Sequence, residues 1–290
     1  MTPIIEFRNV SKWYGEGPDR TEVLSEINLT LHEGEFLAIV GFTGSGKTTL
    51  VNLMTGLLQP SAGEVLYRGK PITGPGPERG IIFQNYSLLP WYTVYQNVAL
   101  SVDEVHPGWT AAERDLHVRR FVEMVGLSHA IDKRPAELSG GMRQRVSIAR
   151  VLATDPDLLL MDEPLGALDA LTRGNLQDEI LRIWSANRRT AVLITNDVDE
   201  GIYMADRIVP LDPGPAASLG PEFRIELDRP RDKTDLNHDP HFKRVRTEIL
   251  NYLVALGESG RAERDTSLTL PDLQPVNPAT RRFASKWRRA

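Results

Sequence analysis

The chain has 290 residues, of which 41% are hydrophobic and 25% are charged, as in ordinary globular proteins. Its net charge of -5 argues against a general nucleic-acid binder, and the lack of cysteine excludes disulfides and thiol chemistry. No apolar run approaches the ~18 residues of a membrane-spanning helix, and no signal peptide is recognisable. These features predict a cytoplasmic protein unless a partner holds it elsewhere.

Alternating apolar residues predict a short strand over 4–10 and a second strand over 23–31. Trp13 and Tyr14 lie between them, just before a glycine-rich loop. Tyr14 could stack on a nucleotide base, an interaction worth roughly 1–3 kcal/mol in other proteins. The alternative is that Tyr14 is a residue at the rim of a small β-subdomain.

Residues 35–49 form the most informative stretch. An apolar strand ends at Gly41 and is followed by the pattern G-x-x-x-x-G-K-T and then by a helix, expected over 50–57. This phosphate-binding loop turns backbone N–H groups toward a triphosphate, Lys47 reaches the outer phosphates, and the Thr48 hydroxyl can ligate Mg²⁺. The residues predicted to bind the nucleotide, ATP or GTP, are Gly41, Thr43, Gly44, Ser45, Gly46, Lys47, Thr48 and Thr49.

A further strand is expected over 80–84, and its last residue, Gln84, could contact Mg²⁺ or the attacking water. Alone, a glutamine at this position is also an ordinary polar cap. The next ten residues, 85–94, are unusually apolar for an element boundary. They either pack into a helical subdomain or form a surface that binds a partner.

The pattern from about 111 to 153 is helical and includes the sequence Leu-Ser-Gly-Gly-Met-Arg-Gln at 138–144. A buried strand follows over 157–164 and carries two carboxylates near its end. Asp162 suits a nucleotide-bound Mg²⁺, and Glu163 suits a general base for water. The alternative is solvated charge at the end of a strand.

The remaining pattern alternates strands with helices, which predicts an α/β sheet with nucleotide at the carboxyl ends of its strands. An amphipathic helix is expected over 240–256. From Gly257 the chain is polar and ends in a basic cluster, so we expect a disordered tail that is solvated or binds anionic lipid or nucleic acid.

Three motifs in order resemble the ATP-binding-cassette ATPases: the phosphate-binding loop, the 138–144 signature and the Asp162-Glu163 strand. The similarity covers roughly 4–230. It implies a P-loop NTPase with a mixed α/β sheet core, an antiparallel β-subdomain and a helical signature subdomain over about 85–155. We assign 1–230 to the cassette and 231–290 to a C-terminal extension.

The resemblance places Tyr14 at the adenine-stacking position, Gln84 in the Q-loop and residues 166–169 in the D-loop. It also implies a head-to-tail dimer in which each ATP is held between one phosphate-binding loop and the other subunit's signature. The signature residues assigned to this contact are Ser139, Gly140, Gly141 and Gln144.

One position departs from the family. Its switch histidine is replaced by Asn196, which can hydrogen-bond a phosphate oxygen or a water but cannot carry a proton. Residues 196–199 also resemble the guanine-reading motif of GTPases, but its lysine is missing. We therefore expect ATP rather than GTP.

Residues 83–91 and 168–173 look like the nitrate/sulfonate/bicarbonate branch of importers, and the run at 171–177 favours nitrate. This branch implies a peripheral subunit at the cytoplasmic face of the inner membrane. Its 86–94 region would contact integral permease subunits, which in turn receive a periplasmic or surface solute-binding protein. The competing hypotheses are a soluble cassette ATPase acting on ribosomes or DNA and a catalytically silent regulatory cassette.

Overall fold

The computed structural model describes residues 2–265 except for Ala167, Arg188 and Asn237. The predicted tail therefore lies largely outside the described residues, as does Ala167 of the D-loop. The strands are β1 Pro3–Tyr14, β2 Thr21–His32, β3 Phe36–Gly41, β4 Ala62–Tyr67, β5 Lys70–Pro71, β6 Arg79–Ile82, β7 Leu158–Asp162, β8 Thr190–Thr195, β9 Arg207–Leu211 and β10 Phe223–Arg224. The helices are α1 Lys47–Thr55, α2 Val94–Val105, α3 Ala111–Met124, α4 Gly140–Leu152, α5 Ala170–Asn187, α6 Val198–Met204, α7 Lys233–Leu236 and α8 Pro240–Asp265.

Two sheets organise the described residues. The six-stranded sheet has the order β10-β9-β3-β8-β7-β6 and is parallel apart from β10. The four-stranded sheet has the order β2-β1-β4-β5 and is antiparallel throughout. The predicted mixed core sheet and antiparallel β-subdomain are confirmed.

The central strand β3 is buried on both faces, as its continuous apolar sequence predicts. Phe36, Ala38 and Val40 enter one core, which includes α2 to α6 and part of α8. Leu37 and Ile39, the alternating residues, enter a second core between α1 and the antiparallel sheet. This packing fixes β3 between two layers and places its carboxyl end beside those of β7 and β8.

Several element bounds differ from the expected ones. Helix α1 begins at Lys47 rather than residue 50 and ends at Thr55, because Gly46 and Gly56 cap it in left-handed conformations. The expected helical region over 111–153 is divided into α3 and α4, and α2 was not predicted. Helix α8 continues to Asp265 rather than ending at 256, since no proline interrupts the sequence there.

Arg231 and α8 pack on the preceding part of the described chain. Arg231 donates to the carbonyl oxygens of Ile202 and Tyr203 at 2.7 and 3.0 Å, so it satisfies the end of α6. Burial lowers the pKa of Arg231 to about 10. Phe242 and Ile249 of α8 are buried in the first core. None of the helices in the described part is long and apolar enough to cross a membrane.

Candidate active site

The loop between β3 and α1 forms a cradle at the carboxyl edge of the main sheet. Gly44 and Gly46 have φ of 83° and 96°, which non-glycine residues rarely adopt. A Cβ on Gly41 would lie 2.8 Å from the Leu211 carbonyl oxygen, so this position needs glycine. Thr43 is exposed on the loop, while the Ser45 side chain is buried beneath it. The loop therefore offers backbone rather than the Ser45 hydroxyl to a ligand.

Thr48 and Thr49 lie in the first turn of α1, where helical N–H groups lack partners within the helix. Their free N–H groups and the helix dipole favour an anion at this end. Thr48 is exposed and Thr49 is partly exposed. The first turn of α1 and the preceding loop are thus suited to bind phosphate.

Lys47 lies at the centre of this cradle with only 5% of its surface exposed. Its Nζ donates to the carbonyl oxygens of Gly41 at 3.0 Å and Phe42 at 2.8 Å, and lies 3.5 Å from Glu163 Oε1. Burial lowers the pKa of Lys47, and the charge of Glu163 opposes this effect. The ammonium is therefore held between the loop and the carboxylate.

Asp162 is the last residue of β7 and Glu163 directly follows it, and the two carboxylates lie in different environments. Asp162 is 8% exposed. Burial raises its pKa, and a hydrogen bond from the Thr48 hydroxyl opposes this rise. The Asp162 carboxylate and the Thr48 hydroxyl together supply oxygen ligands suitable for Mg²⁺, which is usually held by one or two carboxylates plus phosphates. Glu163 has φ of 46°, a strained conformation that is held by its N–H bond to the Ile194 carbonyl at 2.9 Å.

Asn196 follows directly from β8 and reaches Glu163. Its Nδ2 donates to Glu163 Oε1 at 2.9 Å, the same oxygen that faces Lys47. Asp197 then caps α6 by accepting hydrogen bonds from the N–H groups of Asp199 and Glu200. The structure therefore brings together Lys47, Glu163 and Asn196, the three residues predicted to act in catalysis.

A cavity of about 500 Å³ lies beside this group. Gln84 lines it together with Glu163, Gly166 and Asn196. Gln84 is exposed and lies just beyond the end of β6, not within the strand as expected. Its position is compatible with contact to a water or metal near Glu163.

Tyr14 and the signature lie apart from this group. Tyr14 ends β1 and is 44% exposed, with Lys12 Nζ 5.3 Å from its ring centroid. Ser139 caps α4 by accepting from the Met142 N–H at 3.2 Å. A Cβ on Gly140 would lie 3.4 Å from the Tyr86 hydroxyl, and one on Gly141 would lie 2.5 Å from Thr172 Cγ2. The signature contacts its own neighbours rather than Lys47 or Glu163.

Gln144, predicted to contact the nucleotide, does not share the exposed position of Ser139 in this structure. Its side chain is completely buried, and its amide atoms have no hydrogen-bond partner among the described residues. On α4, Gly141, Gln144 and Ile148 share the buried face at i, i+3 and i+7. The helical periodicity of the sequence could have shown that Gln144 lies on a buried face of α4, whereas Ser139 is exposed at its start.

Sequence reasoning missed two arginines in this region. Arg173 Nη1 lies 3.8 Å from Asp197 Oδ2, and its Nη2 donates to the Leu168 carbonyl at 3.2 Å. Arg246 of α8 donates to Asp199 at 2.5 Å. Both line the cavity with Asn196. The run at 171–177 contained Arg173, but only the three-dimensional structure shows that it lies beside Asp197 in the cavity with Asn196.

The apolar 86–94 segment has two kinds of residue. Leu88 packs on the core, whereas Trp91 is 63% exposed. Buried Asn97 accepts from the Leu89 N–H at 2.9 Å and donates to the Leu89 and Tyr92 carbonyls at 3.2 Å each. Arg150 donates to the Ser87 carbonyl at 2.5 Å. The segment therefore packs in part and presents Trp91 on a fixed turn.

The fold and these contacts define a P-loop nucleotide-binding protein. The family model for ABC transporters matches residues 24–166. CmpC of Synechocystis sp., a bicarbonate transport ATP-binding protein, is 49% identical over 256 residues, which cover 88% of this chain but 38% of CmpC. NrtD of Synechococcus elongatus, a nitrate import ATP-binding protein, is 44% identical over 252 residues, covering 87% of this chain and 92% of NrtD.

A solved dimeric structure of the ATP-binding cassette MJ0796, in a post-hydrolysis state bound to ADP and Pi, has a similar fold. The TM-score is 0.70 at 29% identity, and the match covers 78% of this chain and 100% of that chain. The chain therefore belongs to the ATP-binding proteins of ABC transporters, the class that binds ATP and hydrolyses it to drive transport.

Proposed function

We propose that this chain is the ATPase subunit of an importer for a small inorganic anion. The observation that carries the proposal is the contact of Glu163 with both Lys47 and Asn196 at the edge of the phosphate-binding loop. The similarity to transport ATP-binding proteins for bicarbonate and nitrate supports the anion class. The chain covers little of CmpC, so NrtD, which it nearly spans, is the better guide to a single-cassette subunit.

The proposed mechanism begins with the phosphate-binding loop. Lys47 exchanges its contact with Glu163 for the outer phosphates of ATP, and the N–H groups at the start of α1 hold them in place. Thr48 and Asp162 would hold Mg²⁺, with Gln84 as a further oxygen ligand. When bound, Mg²⁺ neutralises charge that develops on the phosphate oxygens.

Glu163, freed from Lys47, accepts a proton from the attacking water while the water oxygen bonds to the γ-phosphorus and ADP leaves with the bridging oxygen. Asn196 holds the carboxylate through its Nδ2, and the second hydrogen of that amide would donate to a γ-phosphate oxygen. Asn196 does not have to change its protonation state in this scheme. The replacement of histidine by asparagine is therefore compatible with hydrolysis.

We propose that two copies of the chain complete the site. The start of α4 exposes Ser139 and part of Gly140, and its free N–H groups suit a phosphate held by a second subunit. Tyr14, exposed at the end of β1, would stack on adenine. The dimeric MJ0796 structure supports this arrangement.

Trp91 and the 86–94 segment would contact the membrane permease, and a solute-binding protein would act only through that permease. These contacts would hold the subunit at the cytoplasmic face of the membrane. An exposed tryptophan on a fixed turn is typical of an interface anchor. The subunit itself would not touch the anion, so the choice between nitrate and bicarbonate rests with its partners.

The test is uptake into vesicles that contain this chain with its permease subunits and solute-binding protein. We expect ATP-dependent uptake of labelled nitrate or bicarbonate and none of taurine, a sulfonate of different shape. The Glu163→Gln variant serves as the control for uptake that depends on hydrolysis. ATP-dependent uptake of taurine alone, or assembly with ribosomes instead of a permease, would contradict the proposal.

A further inference from the structure

Helix α8 packs on the first core through one continuous apolar face. Val245 and Ile249 are buried there, and Leu250 and Leu253 pack against the same core while partly buried. A line of residues along the edge of this face follows at i, i+4, i+7 and i+11. These residues are Arg246, Leu250, Leu253 and Gly257.

One end of this line contacts the turn that carries Asn196. Arg246 Nε donates to Asp199 Oδ1 at 2.5 Å. The Asp199 N–H in turn donates to Asp197 Oδ1 at 2.9 Å, and Asn196 is the next residue toward β8. Arg246 and Leu250 also line the cavity that contains Glu163 and Asn196. Arg246 is thus connected to Asn196 by two hydrogen bonds and one peptide bond.

The other end of the line reaches the phosphate-binding loop. A Cβ built on Gly257 would lie 3.5 Å from Cζ of Phe42, the exposed residue that follows Gly41. The Tyr252 hydroxyl donates to Asp212 Oδ1 at 2.9 Å and so anchors α8 to the 212–216 loop. That loop also approaches the cradle, since a Cβ on Gly214 would lie 3.5 Å from the Gly44 carbonyl oxygen.

We propose that α8 is a strap between the Asn196 turn and the phosphate-binding loop, and that Arg246 is a positioning residue for Asn196. The strap spans about 16 Å from Arg246 to Gly257, at the helical rise of ~1.5 Å per residue. This inference rests on the ATP hydrolysis proposed above. Loss of Arg246 releases the first turn of α6, so Asn196 aligns Glu163 less often, whereas the contacts of Lys47 with the loop remain.

The test compares Arg246→Ala with Arg244→Ala in the full chain. Both variants remove one arginine from α8, but Arg244 contacts His241 and lies 4.0 Å from Glu248 on the same helix. We expect Arg246→Ala to lower kcat about two- to fivefold with KM for ATP unchanged, as fits an exposed ion pair. Arg244→Ala should leave both constants unchanged.

Charge reversal separates positioning from loss of packing. Asp199→Arg and Arg246→Asp should each lower kcat, and the double variant should recover a large part of it, since the pair is restored with opposite orientation. Thermal unfolding of every variant shows whether a lower kcat is instead the result of a less stable fold. No loss of kcat in Arg246→Ala, or an equal loss in Arg244→Ala, would overturn the strap. An inactive wild-type protein would instead overturn the proposed hydrolysis.

Discussion

Asn196 Nδ2 lies 2.9 Å from Glu163 Oε1 and donates a hydrogen bond to it. Asn196 follows β8 and Glu163 follows the neighbouring β7, so the parallel pairing of these strands determines their separation. The same carboxylate oxygen lies 3.5 Å from Lys47 Nζ. An amide that cannot titrate thus orients the proposed general base beside the phosphate-binding lysine.

We predict that Asn196→Ala lowers steady-state ATP turnover by about ten- to a hundredfold, the range for a lost hydrogen bond to a charged group. Asn196→His should retain or raise turnover. The wild type should show no rate-controlling ionisation near pH ~6.5, whereas the histidine variant should gain one. Rates of the three proteins across pH 6–8 in complex with the permease provide the check. An alanine variant as fast as wild type would mean that the hydrogen bond from Asn196 to Glu163 has no part in hydrolysis.

Asp162 provides a prediction about stability. Burial raises its pKa above the value of the unfolded chain, so the folded state binds the proton more tightly. Stability of the nucleotide-free protein therefore falls as pH rises from about 3.8 through the folded-state pKa, and the ionised carboxylate is a cost at pH 7. Asp162→Asn should raise Tm, because it removes the charge whose burial lowers stability.

The same variant should lose the extra stabilisation that Mg²⁺ adds to ATP, because the carboxylate that would hold the metal is gone. Asp103→Asn is the control: Asp103 pairs with Arg114 at 2.6 Å on the exposed side of α2. It should change Tm little. A drop in Tm for Asp162→Asn with a retained Mg²⁺ effect would contradict both the burial argument and the metal assignment.

Trp91 provides a prediction about assembly. Because it is exposed, Trp91→Ala should weaken co-purification with the permease at least tenfold while Tm and ATP binding stay near wild type. Leu116→Ala on α3 is the control, since Leu116 is also an exposed apolar side chain at 75% exposure. Equal weakening by both variants would show that general surface hydrophobicity, not the turn at Trp91, holds the partner.

Much of this arrangement could be predicted because its chemistry is local in sequence. The loop over 41–48 carries its glycines, its lysine and its helix start in one run, and Asp162 and Glu163 directly follow an apolar strand. The contact of Glu163 with Asn196 also follows from parallel strands that end at one edge.

The rest depends on contacts between distant residues. The role of Arg246 requires α8 to lie across the cavity, and no local pattern places a helix 47 residues beyond Asp199. The signature motif also did not reveal that the position of Gln144 on its helix turns the amide into the core. Tertiary packing determines both the position of Arg246 and the burial of Gln144.

Glu163 is the proposed base of an ATP-hydrolysing site. The most direct measurement is the steady-state turnover of Glu163→Gln against wild type, together with ATP binding and the oligomeric state on a sizing column. We predict retained ATP binding, turnover lowered by on the order of 10²–10⁴, and an ATP-bound dimer that accumulates because hydrolysis no longer releases it. Near-normal turnover in this variant would show that Glu163 is not the base.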